Sequence, residues 1–468
     1  MANQDIAETI ASVGYAKVIV TLTPVGLGAG LAAAARGGVD SSASRDAEAQ
    51  LQDHFIVPSE AQQESLALDA RASASRSFRR VVDPATRRMR VYPHLGLATG
   101  FVDAAGMAAL ETSPTAGSIV KAPELSLIRP TSIRPARPRK TVSWGLRRLG
   151  VEDMWNAGFD GKGVVVGHLD TGIDGNHPSL KGAIFDFAEF DLAGDTVPDA
   201  KPHDSDEHGT HTAGTIVGRA GEKGAFGVAP GAQIASAMVI EGGQVIDRIL
   251  SGMDWIIEKK CPILSMSLGL RGFTPAFQQI INALRAGGVL PVFAVGNEGP
   301  MTSRSPGNYD NVLSVGAMDQ ADAVASFSSS QRFDRPADPL VPDLVAPGVG
   351  ILSCIPGGKF AEMDGTSMAT PHVAGLAVLL KQAKPAASID QIEQAIIGSC
   401  TLPAGMLKAR GNRGLPDVRR AFELLTGSPL PVKGPAVAVA SRRKVSKAKL
   451  FTRHATKSTG KKVAAAGI

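Results

Sequence analysis

Three short motifs, far apart in the chain, contain side chains that could cooperate in covalent hydrolysis. Asp170 ends an apolar run and begins an Asp-Thr-Gly tripeptide, His208 opens a run of small residues, and Ser367 follows a Gly-Thr pair. A serine hydroxyl becomes a nucleophile when an imidazole takes its proton and a carboxylate orients that imidazole. The sequence therefore holds the three groups that a serine-type acyl transfer requires.

Two of these motifs also admit another chemistry when taken alone. Asp-Thr-Gly occurs in aspartic proteases, but those enzymes use two aspartates, and the chain contains the tripeptide once. His208 and His211, with acidic residues at positions 204, 206 and 207, could suggest a metal site. The glutamate precedes the histidine pair, however, and does not lie inside it as in the zinc motif His-Glu-x-x-His. We therefore expect His208 to be a general base and His211 to be a packed neighbour.

The third motif places Ser367 where a helix is predicted to begin. A helix N-terminus favours negative charge, and the backbone N–H of Ser367 could help to hold the oxyanion that develops during acyl transfer. A serine at this position is often only a helix cap. Ala369, Gly375 and the helix-interrupting Pro371 are instead typical of a crowded, buried helix. The motif therefore favours a nucleophile.

Alternating strands and helices are predicted across the segment that contains these motifs, residues 142–427. The predicted strands are Gly163–Asp170, Ile234–Ile240, Ile263–Ser267, Val289–Val295 and Val312–Ala317, and the predicted helices begin at His208 or span Val245–Lys259, Phe277–Ala286, Thr366–Gln382 and Ile389–Ile397. Repeated strand–helix–strand units indicate an α/β fold whose mainly parallel sheet has helices on both faces. Active sites in such folds lie at the carboxyl ends of the strands.

The order Asp, His, Ser along the chain is that of subtilisin, and residues 144–427 resemble the subtilase family. The resemblance extends to Trp144–Asp174 and to Phe293–Gly299. It implies a three-layer subtilisin-like fold and a serine endopeptidase in which Asp170, His208 and Ser367 form the charge relay and Asn297 is the oxyanion donor. Two rivals remain: a catalytically silent relative that uses the cleft for binding, and a hydrolase of the same geometry that acts on esters or ligates peptides.

The same resemblance implies a set of substrate-binding residues. Two segments would pair with an extended peptide and two small residues would line the first specificity pocket: Glu241, Gly242, Gly243; Ser267, Leu268, Gly269; and Ala294, Gly296. The segment Gly299–Asn311, expected at the floor of that pocket, is short, and its Arg304 could alter the pocket's charge. The stretch Val217–Gly227 lacks the asparagine-rich loop that binds calcium in many relatives. We therefore expect no cofactor for the chemistry, and a structural calcium ion remains possible but cannot be assigned to residues.

Residues 1–128 are predicted to form a smaller α+β domain that resembles the inhibitor propeptide of subtilases. The predicted strands are Tyr15–Leu22, Arg88–Val102 and Gly117–Ile128, and the predicted helices are Asp46–Phe55 and Asp103–Glu111. The Pro- and Arg-rich residues 129–143 are expected to be an exposed linker that contains the processing site. The resemblance implies an intramolecular inhibitor of a self-processing zymogen. The alternative is a binding domain that stays attached.

The charge of the chain is unevenly distributed. Residues 428–468 contain ten Lys and Arg and no acidic residue; without these ten, the chain's 49 basic residues fall to 39 against 44 acidic ones. We expect a disordered tail, either soluble and removable, which we favour, or able to bind nucleic acid or an anionic surface. The three cysteines are too few for a disulfide framework. Asp5, Glu8 and Pro24 disfavour a signal peptide at Val18–Ala35, and no transmembrane segment is predicted, so the compartment stays open.

Overall fold

The computed structural model describes residues 2–23, 41–57, 88–191, 193–219, 224–240 and 245–431. The basic tail lies almost wholly outside these residues, so its predicted disorder and its predicted partners stay predictions. Among the described residues, no helix is long and apolar enough to cross a membrane.

The N-terminal part forms a four-stranded antiparallel sheet with helices. Its elements are α1 Ala2–Val13, β1 Ala16–Leu22, α2 Ser41–Leu51, β2 Met89–Tyr92, β3 Leu97–Val102, α3 Ala104–Thr112 and β4 Ala116–Lys121. The strand order is β2-β3-β1-β4. Successive side chains of a strand point to opposite faces, and accordingly Val18 and Val20 lie in this domain's own core whereas Ile19 joins a core shared with the rest of the chain.

This domain differs from the sequence prediction in four ways. The predicted helix Asp46–Phe55 lies at Ser41–Leu51. The predicted strand Gly117–Ile128 ends at Lys121, because residues 122–125 have no regular structure and Ser126–Leu127 pair with the later strand Leu268–Arg271. The predicted strand Arg88–Val102 is a hairpin, because a turn at residues 93–96 separates β2 from β3. Helix α1 was not predicted. The predicted helix after Asp103 is confirmed, and Asp103 caps it by accepting a hydrogen bond of 2.8 Å from the backbone N–H of Gly106.

The rest of the described chain begins with two short strands and then forms the α/β domain. Its strands are β5 Ser126–Leu127, β6 Ser132–Ala136, β7 Val165–Asp170, β8 Ile184–Glu189, β9 Gln233–Met238, β10 Ile263–Met266, β11 Leu268–Arg271, β12 Leu290–Ala294, β13 Arg304–Ser305, β14 Leu313–Met318, β15 Gln331–Arg332, β16 Leu340–Val341, β17 Leu344–Pro347, β18 Ile351–Ile355 and β19 Lys359–Asp364. Its helices are α4 Trp144–Leu149, α5 Val151–Asn156, α6 His208–Val217, α7 Ile246–Glu258, α8 Gln278–Ala286, α9 Thr366–Ala383, α10 Ile389–Ser399, α11 Lys408–Gly411 and α12 Val418–Thr426.

A seven-stranded parallel sheet in the order β17-β14-β12-β10-β7-β9-β8 is the middle layer. Successive side chains along each strand pack on opposite faces of this sheet. Val292 and Phe293, for example, belong to different hydrophobic clusters. One cluster contains α6, α9, α10 and α12, and the other contains α7 and α8. The predicted three-layer α/β fold with a mainly parallel sheet is therefore confirmed.

The sheet brings the chemistry-bearing residues to one edge. Asp170 is the last residue of β7, and Asn297 follows β12. Helix α6 begins at His208, and the buried helix α9 begins one residue before Ser367 and packs against α6. The candidate residues therefore meet at the carboxyl ends of the strands, where parallel sheets place their active sites.

Candidate active site

Asp170 and His208 form a buried hydrogen-bonded pair. Nδ1 of His208 lies 2.6 Å from Oδ1 of Asp170, which also accepts a bond of 2.8 Å from the N–H of Thr171. Burial alone would raise the pKa of Asp170, but the charge of His208 and the adjacent imidazoles outweigh it and lower the pKa. Burial alone would lower the pKa of His208, but the charge and hydrogen bond of Asp170 raise it. The carboxylate is therefore ionised and oriented to hold an imidazolium.

The Ser367 side chain is buried at the start of α9 and contacts the protein's own backbone. Its Oγ donates a hydrogen bond of 2.6 Å to the carbonyl oxygen of Ile128. Nε2 of His208 is buried and has no hydrogen-bond partner among the described residues. The Ser367 hydroxyl is thus bonded to a backbone carbonyl, and Nε2 of His208 is available as a proton acceptor.

Asn297 presents its amide N–H group to the same stretch of backbone. Its Oδ1 accepts bonds of 2.9 Å from both the N–H and the hydroxyl of Thr366. These two donors fix which end of the amide is oxygen, so Nδ2 must face away from α9. Nδ2 donates a bond of 2.9 Å to the carbonyl oxygen of Arg129. Thr366 was not singled out from the sequence, because its contact with Asn297 exists only after the sheet has formed.

Residues 126–136, the cleft segment, pass directly through this site. Strand β5 pairs antiparallel with β11, and the N–H of Ile128 donates a bond of 3.0 Å to the carbonyl of Ser267. Beyond the site, the N–H of Thr131 donates a bond of 2.8 Å to the carbonyl of Asp364, and β6 pairs antiparallel with β19. The predicted linker is therefore extended, as expected, but Ser132–Ala136 is a paired strand.

The cleft segment is an extended peptide, and it pairs with three of the predicted substrate-binding residues: Ser267, Leu268 and Gly269. Glu241, Gly242 and Gly243 lie outside the described residues. Ala294 is fully buried at the end of β12. Gly296 has a φ of 121°, and a Cβ there would lie 2.7 Å from Oε2 of Glu298, so only glycine fits.

Arg304 is buried and paired, which changes the sequence-based suggestion about pocket charge. Its Nε lies 3.0 Å from Oε1 of Glu298, and one of its terminal nitrogens donates bonds of 3.0 Å to the Gly269 carbonyl and to the Ser126 hydroxyl. Burial would raise the pKa of Glu298, but the hydrogen bond and charge of Arg304 and the charge of Arg271 lower it. The positive charge of Arg304 is therefore compensated by Glu298, and its N–H groups face the cleft segment.

His211 and the acidic residues before α6 are engaged in structural contacts. Nε2 of His211 lies 2.9 Å from the carbonyl of Ile351, and burial lowers the pKa of His211 to about 3. Asp204 accepts hydrogen bonds from the Thr171 hydroxyl and from the N–H and hydroxyl of Thr210, and burial raises its pKa to about 6. Within the described ranges, no group of three or more His, Cys, Asp or Glu side chains is arranged to hold a metal ion.

The three cysteines have no disulfide partner. Cys261 and Cys354 are buried, Cys400 is partly buried, and burial raises the pKa of each thiol to about 12. They therefore behave as small apolar residues, as the sequence indicated.

A buried carboxylate holds an imidazole at the carboxyl edge of a parallel sheet, and a serine lies at the start of the helix that packs against the imidazole's own helix. This is the arrangement of an α/β serine hydrolase. The sequence profile of the subtilase family matches residues 161–419, a range that includes Asp170, His208, Asn297 and Ser367. The chain therefore belongs to the subtilase family, and it is a serine-type endopeptidase.

Individual relatives agree with this assignment. Subtilisin BL of Lederbergia lenta is 37% identical over 265 residues, which are 56% of this chain and 92% of the relative. An intracellular serine protease of Paenibacillus polymyxa is 40% identical over 245 residues, 51% of this chain and 72% of the relative. Alkaline elastase YaB of a Bacillus strain is 38% identical over 267 residues, 56% of this chain and 66% of the relative.

Proposed function

We propose that Ser367, His208 and Asp170 hydrolyse peptide bonds through an acyl-enzyme, with Asn297 as an oxyanion donor. Ser367 Oγ attacks the scissile carbonyl while Nε2 of His208 takes the hydroxyl proton, and Asp170 holds the resulting imidazolium. Nδ2 of Asn297 and the N–H of Ser367 stabilise the oxyanion. His208 then protonates the leaving amine, and water repeats the sequence to release the acid. The 2.6 Å bond between Asp170 and His208 is the observation that supports this most directly, together with Nε2 of His208, which has no hydrogen-bond partner in the described part of the chain.

We further propose that the chain is a zymogen whose N-terminal domain inhibits this site. The cleft segment pairs with β11 on one side of Ser367 and with β19 on the other, as a bound substrate would. In a productive complex, the nucleophile and the oxyanion donor must act on the same carbonyl group. Here Ser367 Oγ contacts the carbonyl of Ile128, whereas Asn297 contacts the carbonyl of Arg129. Neither of these two peptide bonds is therefore aligned for attack.

The residue after Arg129 strengthens this argument. Pro130 has no N–H, and its ring fixes φ near −65°, which restricts how the chain can leave the site. The side chain of Arg129 is held 3.0 Å from Asp206, two residues before His208. The cleft segment is thus bound through the carbonyl groups of Ile128 and Arg129 and through the side chain of Arg129. In this position neither carbonyl is placed for cleavage. Processing within residues 129–143 requires the segment to shift first.

The N-terminal domain docks on α7 through polar and apolar contacts. Asp247 accepts hydrogen bonds from the hydroxyl groups of Tyr92 at 2.9 Å and Thr99 at 2.7 Å and forms an ion pair with Lys17. The apolar side chains at this interface belong to one hydrophobic cluster: Ile19, Tyr92, Leu95 and Leu97 of the N-terminal domain, and Ile246, Ile249 and Leu250 of α7. A domain that docks here delivers the cleft segment to Ser367 as a tethered inhibitor.

Intact mass before and after treatment with a fluorophosphonate tests both proposals. We expect wild-type protein to lose the N-terminal domain by a cut within residues 129–143 and to gain one adduct. Ser367→Ala should remain full length and unlabelled, because the nucleophile is absent. Labelling of an uncut chain would support the charge relay but favour an attached binding domain over a propeptide. A processed, active Ser367→Ala protein would overturn the assignment of the nucleophile.

A further inference from the structure

We propose that His168 and Thr212 form a second hydrogen-bonded arm of the catalytic carboxylate, in which they position Asp170 and set how strongly it holds the His208 imidazole. This inference rests on the charge relay proposed above. Sequence analysis gave neither residue a role, although His168 lies in the same motif as Asp170. Neither is proposed to touch substrate, so both are positioning residues.

The secondary structure accounts for how the arm forms. His168 and Asp170 are two residues apart on β7, so their side chains point to the same face of the sheet. His208 and Thr212 are four residues apart on α6, so they lie on the same face of the helix. When α6 packs on β7, one pair of side chains meets the other. The result is a double contact between strand and helix, with the Asp170–His208 bond at one end and the His168–Thr212 bond at the other.

The contacts run in a chain from Ser236 to Asp170. Nδ1 of His168 lies 2.9 Å from the hydroxyl of Ser236, and Nε2 of His168 lies 2.9 Å from the hydroxyl of Thr212. The Thr212 hydroxyl lies 3.1 Å from Oδ2 of Asp170, and Nε2 of His168 lies 3.6 Å from that same oxygen. All four side chains are at most 2% exposed, so water cannot replace these contacts.

Chemistry fixes the direction of the proton donors. The Thr212 hydroxyl has one hydrogen and also lies 3.2 Å and 3.1 Å from the carbonyl oxygens of His208 and Gly209. An ionised carboxylate is a stronger acceptor than a backbone carbonyl, so the hydroxyl donates to Asp170. It must then accept from His168, which therefore has its proton on Nε2 and accepts from Ser236 at Nδ1.

This arm supplies a hydrogen-bond donor to Oδ2 of Asp170, the carboxylate oxygen that is not bonded to His208. Oδ1 of Asp170 is bonded to His208 and to the Thr171 N–H. Among the described residues, Oδ2 has Thr212 as its hydrogen-bond donor, with His168 next to it. A buried charge whose lone pairs are unsatisfied is costly. Loss of the arm would therefore let the carboxylate rotate and would concentrate its negative charge on the bond to His208.

The sign of the pH effect follows from this charge distribution. A donor at Oδ2 draws negative charge away from the imidazole, so removing it makes Asp170 hold the His208 imidazolium more strongly and raises the pKa of His208. The other charged groups that raise this pKa are Asp206 and Asp204, and His211, which faces His208 on α6, stays neutral near pH 7. Asp204, whose pKa is raised to about 6, also titrates in this pH range, but it does so in wild-type protein and in a Thr212 variant alike.

The alternative is that Ser236, His168 and Thr212 are a polar cluster that satisfies itself and only supports the fold. A structural cluster would change stability when cut but would not change the protonation of His208. The pH dependence of Ser367 reactivity distinguishes the two roles, because the reaction with a fluorophosphonate requires neutral His208.

The experiment measures the rate of fluorophosphonate labelling of Ser367 by intact mass from pH 5 to 9. The variants are Thr212→Val, which removes the hydroxyl at similar volume, and Thr212→Ser, which keeps it. We expect Thr212→Val to label about tenfold more slowly near neutral pH and to move the acidic midpoint upward by about one pH unit, because a tenfold change in the protonation equilibrium of His208 corresponds to one pKa unit, or about 1.4 kcal/mol. Thr212→Ser should restore both values.

A second pair tests the imidazole itself. His168→Leu should shift the midpoint in the same direction, whereas His168→Gln, whose amide N–H can still donate to Thr212, should shift it less. If Thr212→Val has the same labelling rate and the same acidic midpoint as wild-type protein, the proposed positioning role of Thr212 is wrong. Because wild-type protein is labelled in that case, the charge relay would stand. Wild-type protein that is not labelled at any pH, even after the N-terminal domain has been removed, would contradict the charge relay and the arm with it.

Discussion

In the proposed charge relay, the protonation of His208 sets the pH range in which Ser367 can react. Because Asp170 raises the pKa of His208, activity should fall as the pH drops through a midpoint above the ordinary histidine value. Asp170→Asn removes that charge, so we expect the acidic midpoint to move to lower pH and kcat to fall by about 10⁴, since the imidazole then has the wrong tautomer. The pH profile of kcat/KM on a peptide amide measures both effects. If the acidic midpoint of Asp170→Asn equals that of wild-type protein, then a group other than His208 causes the loss of activity at low pH.

Asn297 gives a second prediction at the scale of one residue. Asn297→Leu removes the Nδ2 donor, and we expect kcat to fall by about 10²–10³ with little change in KM, a magnitude that was established on subtilisin itself. Steady-state kinetics on the processed enzyme checks this. The control is Thr366→Val, which keeps Asn297 but removes the 2.9 Å hydroxyl bond to its Oδ1, and which should lower kcat by a smaller factor. A loss that appears only in KM would argue against an oxyanion role.

Residue types and order were enough to predict which side chains meet at the carboxyl edge of the sheet but not their neighbours. Asp170, His208, Asn297 and Ser367 stand in motifs whose local pattern is tied to their chemistry. Glu298 compensates Arg304, and Thr212 connects His168 to Asp170, through contacts between segments that are distant in sequence. Such contacts depend on how β7, α6 and β12 are placed relative to one another in the folded domain. The sequence alone could therefore not indicate these contacts.

At the scale of elements, the proposed inhibition depends on the cleft segment and on the face of α7. Periodicity predicted five of the seven strands of the central sheet and most of its longer helices, because their apolar faces are long and regular. It did not predict β8 or β17, which lie at the edges of the sheet, or helix α12. It did not predict the role of residues 126–136, since Pro and Arg favour extended, exposed chain. That segment is indeed extended, but its partners, β11 and β19, follow it by more than a hundred positions. An edge strand of this kind is defined by its partners and not by its own composition.

The contact between His94 and α7 should make inhibition depend on pH. Asp254 accepts bonds of 2.7 Å and 2.9 Å from the N–H and Nδ1 of His94, and this hydrogen bond raises the pKa of His94 above its ordinary value. The docked state is thus favoured while His94 is protonated, below its ordinary pKa, and that contribution is lost as pH rises through the raised pKa. We expect the N-terminal domain to release more readily at alkaline pH.

The measurement is the rate of fluorophosphonate labelling of the full chain before processing, between pH 6 and 8.5. Because deprotonation of His208 also speeds labelling, the informative quantity is the ratio of wild-type protein to His94→Gln at each pH. His94→Gln keeps the backbone bond to Asp254 and loses the titratable one. We expect this variant to label faster by a factor of a few at pH 6 and to match wild-type protein at pH 8.5. A constant ratio would show that His94 does not regulate docking.

For the whole molecule, the N-terminal domain has a second consequence, for folding. The central sheet joins β7 to β9 and to β10, segments far apart in sequence, so its formation must first overcome a large loop-closure entropy. The N-terminal domain is smaller, and its antiparallel sheet contains the local hairpin β2–β3, so we expect it to form earlier than the parallel sheet. It contacts α7, the helix that packs on β7 and β9. A preformed surface for α7 would therefore lower the barrier to assembling the sheet.

We expect a fragment beginning near residue 142 to regain reactive Ser367 slowly after dilution from denaturant, and faster when the N-terminal domain is added as a separate chain. The matched control is Asp247→Ala in the fragment. This change removes the acceptor shared by Lys17, Tyr92 and Thr99 but lies on the outer helix layer, away from Ser367. Three lost bonds to a charged group should weaken docking by about 10²-fold or more, so the acceleration should disappear at concentrations that suffice for the unaltered fragment. Equal refolding with and without the N-terminal domain would confine that domain to inhibition, because a fragment that folds unaided needs no surface on which to assemble its sheet.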